Sequence, residues 1–260
     1  MIKILRYSFS DLTRSRWNYF YFSFYLLIGS TLLFLTNDLS KAIITLINIV
    51  IVLTPLIGTL FGIMYFYNSK EFTELLLAQP IKRSTIFLGQ YLGLSLSLSA
   101  SFVLGLGIPF LLYGVILSSE ISNFIMLIVS GAFLTFIFVS LAFNIALNNE
   151  NRIKGFAYAV LMWLFLAVIY DGLFLLSLLI FNEYPLDKFA LVATTFNPID
   201  LSRILILLKL DISALLGYTG AVFQQFFGTN MGLVVSLLVL ILWSVLPVLR
   251  MIQKLKTKDF

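Results

Sequence analysis

Residues 67–89 read YNSKEFTELLLAQPIKRSTIFLG, a polar interruption between two long apolar runs. Two membrane spans can be joined by a short turn, but this connection spells a capped amphipathic helix. Asn68 or Ser69 is placed to cap its N-terminus, and Glu71 puts negative charge in the first turn, where the helix dipole favours it. Phe72, Leu75, Leu76 and Gln79 fall on one face at helical spacing, with Lys70, Glu71 and Glu74 toward the other. Pro80 closes the helix, Lys82 and Arg83 follow, and Ser84 is placed to cap the next one. The spacing predicts a surface helix over about 69–79, rigidly joined to a span on either side.

The rest of the chain explains why that helix stands out. Of the 260 residues, 60% are hydrophobic and only 11% charged, and the mean hydropathy is +1.03. Soluble domains carry roughly a quarter charged residues, so the composition is that of an all-α integral membrane protein with a single transmembrane domain. Cysteine and histidine are both absent, which excludes disulfides, a thiolate nucleophile and an imidazole base from this chain. The methionines are scattered and offer no paired thioethers for copper. The basic residues are distributed among connections and form no patch for nucleic acid. The apolar core and cleavage site of a signal peptide do not follow Lys3 and Arg6.

Six apolar runs meet the length of roughly 20 residues that a bilayer requires. They fall near 17–35, 43–66, 88–117, 124–147, 156–181 and 231–249. Gly105, Gly107 and Pro109 mark the third as tilted or broken. Lys3, Arg6, Arg14 and Arg16 precede the first run, and Lys70, Lys82 and Arg83 separate the second from the third. Arg152 and Lys154 separate the fourth from the fifth, while Arg250, Lys254, Lys256 and Lys258 follow the last. The opposite side holds Lys41, Lys188, Arg203 and Lys209. The positive-inside rule then places both termini and the 69–79 helix of this multi-pass protein in the cytoplasm.

Two further segments depart from a plain bundle. Ile2, Leu5, Phe9 and Leu12 form an apolar stripe opposite Lys3, Arg6 and Asp11, the pattern of an interfacial helix on the inner leaflet. Between the fifth and sixth runs, Asn197-Pro198-Ile199-Asp200 reads as an N-cap with proline at the first helical position, opening a helix over 198–210. Asp211 is placed to cap a second external helix over 212–227. No internal repeat is visible, so inverted-repeat transporters find no support.

Few residues carry chemistry. No phosphate-binding loop occurs, so an ATP-driven role would need a separate ATPase subunit. Gly58-x-x-x-Gly62 and Gly89-x-x-x-Gly93 permit close helix approach, read as packing within one chain in preference to a dimer seam. Ser95, Ser97, Ser99 and Ser101 share no single face and are expected to bond local carbonyls. Asp171 is the one carboxylate well inside a run; it marks a pathway or sits near the outer interface. Asn48 and Asn144 are weaker candidates of the same kind.

With this architecture, the chain resembles the permease subunits of ABC-2 type ATP-binding cassette exporters along its whole length. Within that class, two stretches are similar to the Nos-type (NosY-like) permeases of nitrous oxide reductase maturation systems. One runs from Glu74 through Ala78-Gln79-Pro80 to Arg83, with Phe87-Leu88-Gly89. The other is Phe196-Asn197-Pro198-Ile199-Asp200 through Arg203, continuing over Leu210-Asp211-Ile212-Ser213-Ala214. The first recurs across the class and the second is narrower. The resemblance implies a homodimer in lipid, with two NosF-like ATPase subunits binding ATP and magnesium and a NosD-like periplasmic partner serving copper-site assembly. This chain itself would hold no cofactor or metal and would not be an enzyme. Carried over, Glu71, Phe72, Glu74, Leu75, Leu76, Gln79 and Pro80 would meet the ATPase as a coupling helix. Asn197, Pro198, Asp200 and Arg203 would meet the periplasmic partner. Lacking soft ligands, the chain is expected to transmit motion or pass a sulfur species rather than copper. The alternatives are an ABC-2 exporter of a lipid, drug or small peptide, and an unpowered membrane scaffold.

Overall fold

The computed structural model describes residues 1–181, 187–209 and 230–257, which are helical almost throughout and include no strand. The elements are α1 (Ile2–Thr13), α2 (Arg16–Thr36), α3 (Leu39–Asn68), α4 (Lys70–Leu77), α5 (Arg83–Leu112) and α6 (Ile121–Asn148). After these come α7 (Arg152–Leu164), a π turn (Phe165–Ile169), α8 (Tyr170–Ile180), α9 (Asp187–Thr195), α10 (Pro198–Lys209) and α11 (Asn230–Thr257). Among the described residues six stretches are long and apolar enough to cross a membrane: α2, α3, α5, α6, the continuous α7–π–α8 unit and α11. The protein is a multi-pass, all-α membrane protein. The second external helix expected over 212–227 lies outside the described residues.

Local chemistry sets the boundaries. Asp38 caps α3, its carboxylate accepting from Ser40 N and Lys41 N, and Asn151 caps α7 in the same way. The third span ends at Leu112, earlier than the sequence suggested, because Gly114 turns the chain at φ +88°. Pro109 does not break it; the helix continues through this residue. Lys82, not Ser84, occupies the cap position of α5. The serine lies inside the first turn.

The centre of the bundle is the α3–α6 seam, its most extensive helix contact. Gly58 and Gly62 make it close: a Cβ built at Gly62 would sit 2.7 Å from Ala142 Cβ. Large aromatic side chains, among them Tyr25, Phe102, Phe110, Phe138 and Phe143, are fully buried around the seam. The Tyr25 and Thr54 hydroxyls share a 2.7 Å hydrogen bond that ties α2 to α3.

Gly89 and Gly93 receive α1. A Cβ at Gly93 would meet Ser8 Cβ at 2.6 Å, with Leu5 O and Phe9 N each 3.1 Å away. Both glycine pairs thus serve packing inside the chain. The α1 helix does not merely lie on a leaflet; it buries Ile4, Ser8 and Leu12 against α5. Because backbone lies behind the side chain at this contact, the neighbours cannot yield. Gly93→Val is therefore expected to lift α1 from α5 at a cost of about 1–3 kcal/mol. Hydrogen exchange over residues 2–13 should rise to the level of a free helix; unchanged protection would refute the assignment.

Candidate functional site

The polar connection forms the predicted surface helix, with one residue of linkage. Ser69 ends α3 and starts α4, so a single residue joins the two helices. It stands at the cap position, but its hydroxyl donates to Phe66 O instead of capping α4. Two contacts seat the helix. Gln90 Nε2 of α5 donates to Thr73 Oγ1 at 2.8 Å, and Thr73 Oγ1 donates to Ser69 O. Phe72 stacks on Tyr7 of α1, centroids 4.8 Å apart. Replacing Thr73 by Val leaves the Gln90 amide, which is 1% exposed, without its acceptor. That should cost about 1–3 kcal/mol, visible as a lowered melting temperature that Thr73→Ser restores.

This seating divides the expected ATPase-contact residues into two sets. Glu71, Glu74, Leu75, Gln79 and Pro80 face away from the bundle and are exposed, whereas Phe72 and Leu76 are half-buried against it. Leu75, at 69% exposure, is the one large apolar side chain of α4 fully presented outward. The Lys70–Glu74 pair, 3.8 Å apart and exposed, contributes little to stability. The inner face is thus built from Thr73 with flanking Phe72 and Leu76, and not from a Phe72–Leu75–Leu76–Gln79 stripe.

The second constellation lies at the other end of the bundle. α9 and α10 form a hairpin bent by 112°, and its tip reaches the middle of two of the apolar helices. Trp243 Nε1 donates to Thr195 O at 3.0 Å, and Asn197 Nδ2 donates to Leu166 O at 2.8 Å. Leu166 is the midpoint of the 29-residue span Arg152–Ile180, and Trp243 lies one residue from the midpoint of Gly232–Lys256. Non-helical backbone at this depth must be satisfied by protein. Tyr170 OH also donates to Ala193 O at 2.6 Å.

The Leu166 carbonyl belongs to the π turn, where the ordinary ladder of the span is interrupted. Asn197 does three jobs: besides reaching Leu166, its Oδ1 accepts from Ile199 N as the expected cap and its Nδ2 donates to Asp200 Oδ2 at 2.7 Å. Arg203 completes the cluster, 2.8 Å from Asp171 Oδ2 and 3.4 Å from Asp200 Oδ1. Asp171 is thus one of two carboxylates around a single guanidinium, linking α8 to α10. Asn197, Pro198 and Asp200, expected to meet an external partner, are buried. Their side chains hold the hairpin in the bundle, and only Arg203 retains part of its surface.

The remaining polar candidates divide as well. Asn144 is buried and donates to Ser140 O and Pro247 O, both at 2.8 Å, stapling α6 to α11. Asn48 is exposed on α3, and Lys41 and Thr45 are exposed within two turns of it. Ser95, Ser97 and Ser99 are buried, and among the described residues their hydroxyls find no hydrogen-bond partner, so these three do not bond the local carbonyls expected of them. Among the described residues there is no group of three or more acidic, cysteine or histidine side chains able to hold a metal.

Sequence reasoning missed α9, the π turn and the two seats of α4. The signal for one seat was available: Gln90 is a lone amide in the apolar stretch Ile86–Leu94 and needed a partner. Compared with known proteins, the chain matches no family model and no curated protein.

Proposed function

We propose that this chain is the permease subunit of an ABC-2 type exporter complex, working as a homodimer with a separate ATPase in a bacterial inner membrane, both termini cytoplasmic. The observation that carries the reading is the mounting of α4. A short helix at the basic end of the bundle is fused to one span, bonded to the next and stacked on α1, and still presents Glu71, Leu75 and Gln79 outward. A helix tied to three elements in this way is placed to pass displacement into the spans. The exposed amide of Asn48 in the outer half of α3 adds support, since a polar group on a span favours water or a partner over lipid.

The narrower reading, a Nos-type role in copper-site maturation with a NosD-like periplasmic partner, rests on the Asn197–Asp200 resemblance. The inward use of those side chains moves any external contact to other residues of the far end. A lipid, drug or peptide exporter fits the α4 geometry equally. Affinity purification of the tagged chain from native membranes, with mass spectrometry of its companions, tests all three. An ATPase with a periplasmic repeat protein supports the Nos-type complex, an ATPase alone a general exporter, and no ATPase overturns the permease reading.

A further inference from the structure

The far half of α3 carries an uncovered polar stripe. Lys41, Thr45 and Asn48 are exposed, and Val52 continues their line half-buried. Steps of four, three and four residues keep these positions on one face, the spacing of a heptad seam. Toward α4 the same face is covered by α7, whose Trp163 Nε1 donates to Val52 O at 3.2 Å. Past the π turn α8 makes little contact with α3, and the stripe beyond Val52 is left bare.

Asn48 is out of place in lipid. It lies nine residues inside α3, whose far end is joined by a two-residue link to the 21-residue span α2. Nine residues of helix measure about 14 Å, which puts the amide well within a hydrocarbon layer about 30 Å thick. Its side chain makes no hydrogen bond among the described residues. A polar group at that depth turns to protein or to water. Water fits poorly, because Ile44, Ile49 and Val52 surround Asn48 and the Thr45 hydroxyl already donates to Lys41 O at 3.0 Å. A lone amide on an otherwise apolar stretch is the mark of a helix contact. The bare faces of α8 and α11 are by contrast apolar and are satisfied by lipid.

We propose that this stripe is the seam between two copies of the chain, α3 against α3 about a two-fold axis, with the Asn48 amides hydrogen-bonded to each other. A two-fold contact is isologous, so a residue near the axis meets itself. Asparagine suits that position because one side chain carries both donor and acceptor. At the rim, Lys41 forms no ion pair among the described residues, and Asp38 stands half-buried one turn before it. The seam brings each lysine beside the carboxylate of the other copy, so the rim attracts instead of repelling. The assignment of this seam rests on the homodimer proposed above and requires no ATPase.

The chain has no cysteine, so a single introduced thiol reports a single contact. Full-length Asn48→Cys and Thr45→Cys are oxidised in the membrane, with Leu104→Cys, 55% exposed on α5, as the control. Both seam variants are expected to form disulfide dimers from most chains, and the control from few. In parallel, light scattering of the purified wild type in detergent should give the mass of a dimer. Asn48→Leu should raise its dissociation constant about tenfold, with Asn48→Gln closer to the wild type. A dimer that does not cross-link through Asn48→Cys overturns the seam and leaves the homodimer standing, whereas a monomeric wild type overturns both. Cross-linking of the control as strong as that of Asn48→Cys means random collision and also overturns the seam.

Discussion

If the permease reading is right, Leu75→Asp is expected to abolish binding of the proposed ATPase while leaving the chain folded in the membrane. Leu75 is 69% exposed, so an aspartate there costs the free chain little. In a docked complex the same carboxylate would be desolvated without a partner, and the apolar anchor would be gone. The two losses together amount to about 4 kcal/mol, or roughly a thousandfold in Kd. Leu76→Asp is a poorer probe because Leu76 is half-buried against its own bundle, and a misfolded chain would give the same loss. The measurement is co-purification of the ATPase with each variant, alongside gel filtration of the chain itself. Wild-type recovery of the ATPase with Leu75→Asp would sink the coupling assignment.

Arg203→Ala is expected to be the most destabilising single substitution in the far half of the bundle. It leaves Asp171 and Asp200 facing each other with no counter-charge, and Asp200 is only 4% exposed. Removing one partner of a buried ion pair costs about 3–5 kcal/mol. The lower end applies because the Arg203 and Asp171 side chains keep 25% and 29% of their surface. The melting temperature in detergent should fall by about 10 °C. Neutralising the whole cluster, with Asp171→Asn, Asp200→Asn and Arg203→Met together, should recover most of that loss, because no charge is then stranded. If Arg203→Ala melts with the wild type, the cluster does not hold the hairpin.

The six spans were legible because hydrocarbon tolerates no other composition over that length, and the start of α10 because proline and asparagine have few other uses in sequence. Tertiary partners were less legible. Periodicity places Phe72, Leu75 and Leu76 on related faces of α4, but it cannot say that Tyr7, some 65 positions earlier, takes Phe72 and leaves Leu75 outside. The sequence Asp187–Thr195 is too short and too apolar to announce a helix apart from its surroundings. The π turn, Phe165–Ile169, has no compositional mark. Asn197 and Asp200 were singled out as significant but assigned to an outside partner. A motif tells which residues matter before packing tells which way they point.

The fusion of α3 to α4 through Ser69 has a mechanical consequence. Pro55 deletes one rung of the α3 ladder and stands 14 residues from Ser69 and 16 from Leu39. At 1.5 Å per residue, these arms measure about 21 Å and 24 Å. A stiff beam pivoting there would return at its far tip slightly more than the travel applied at α4, in the opposite direction. Seesaw geometry of this kind amplifies little and wastes nothing, so the stroke delivered at the far end of α3 would be set by the stroke of whatever pushes on α4.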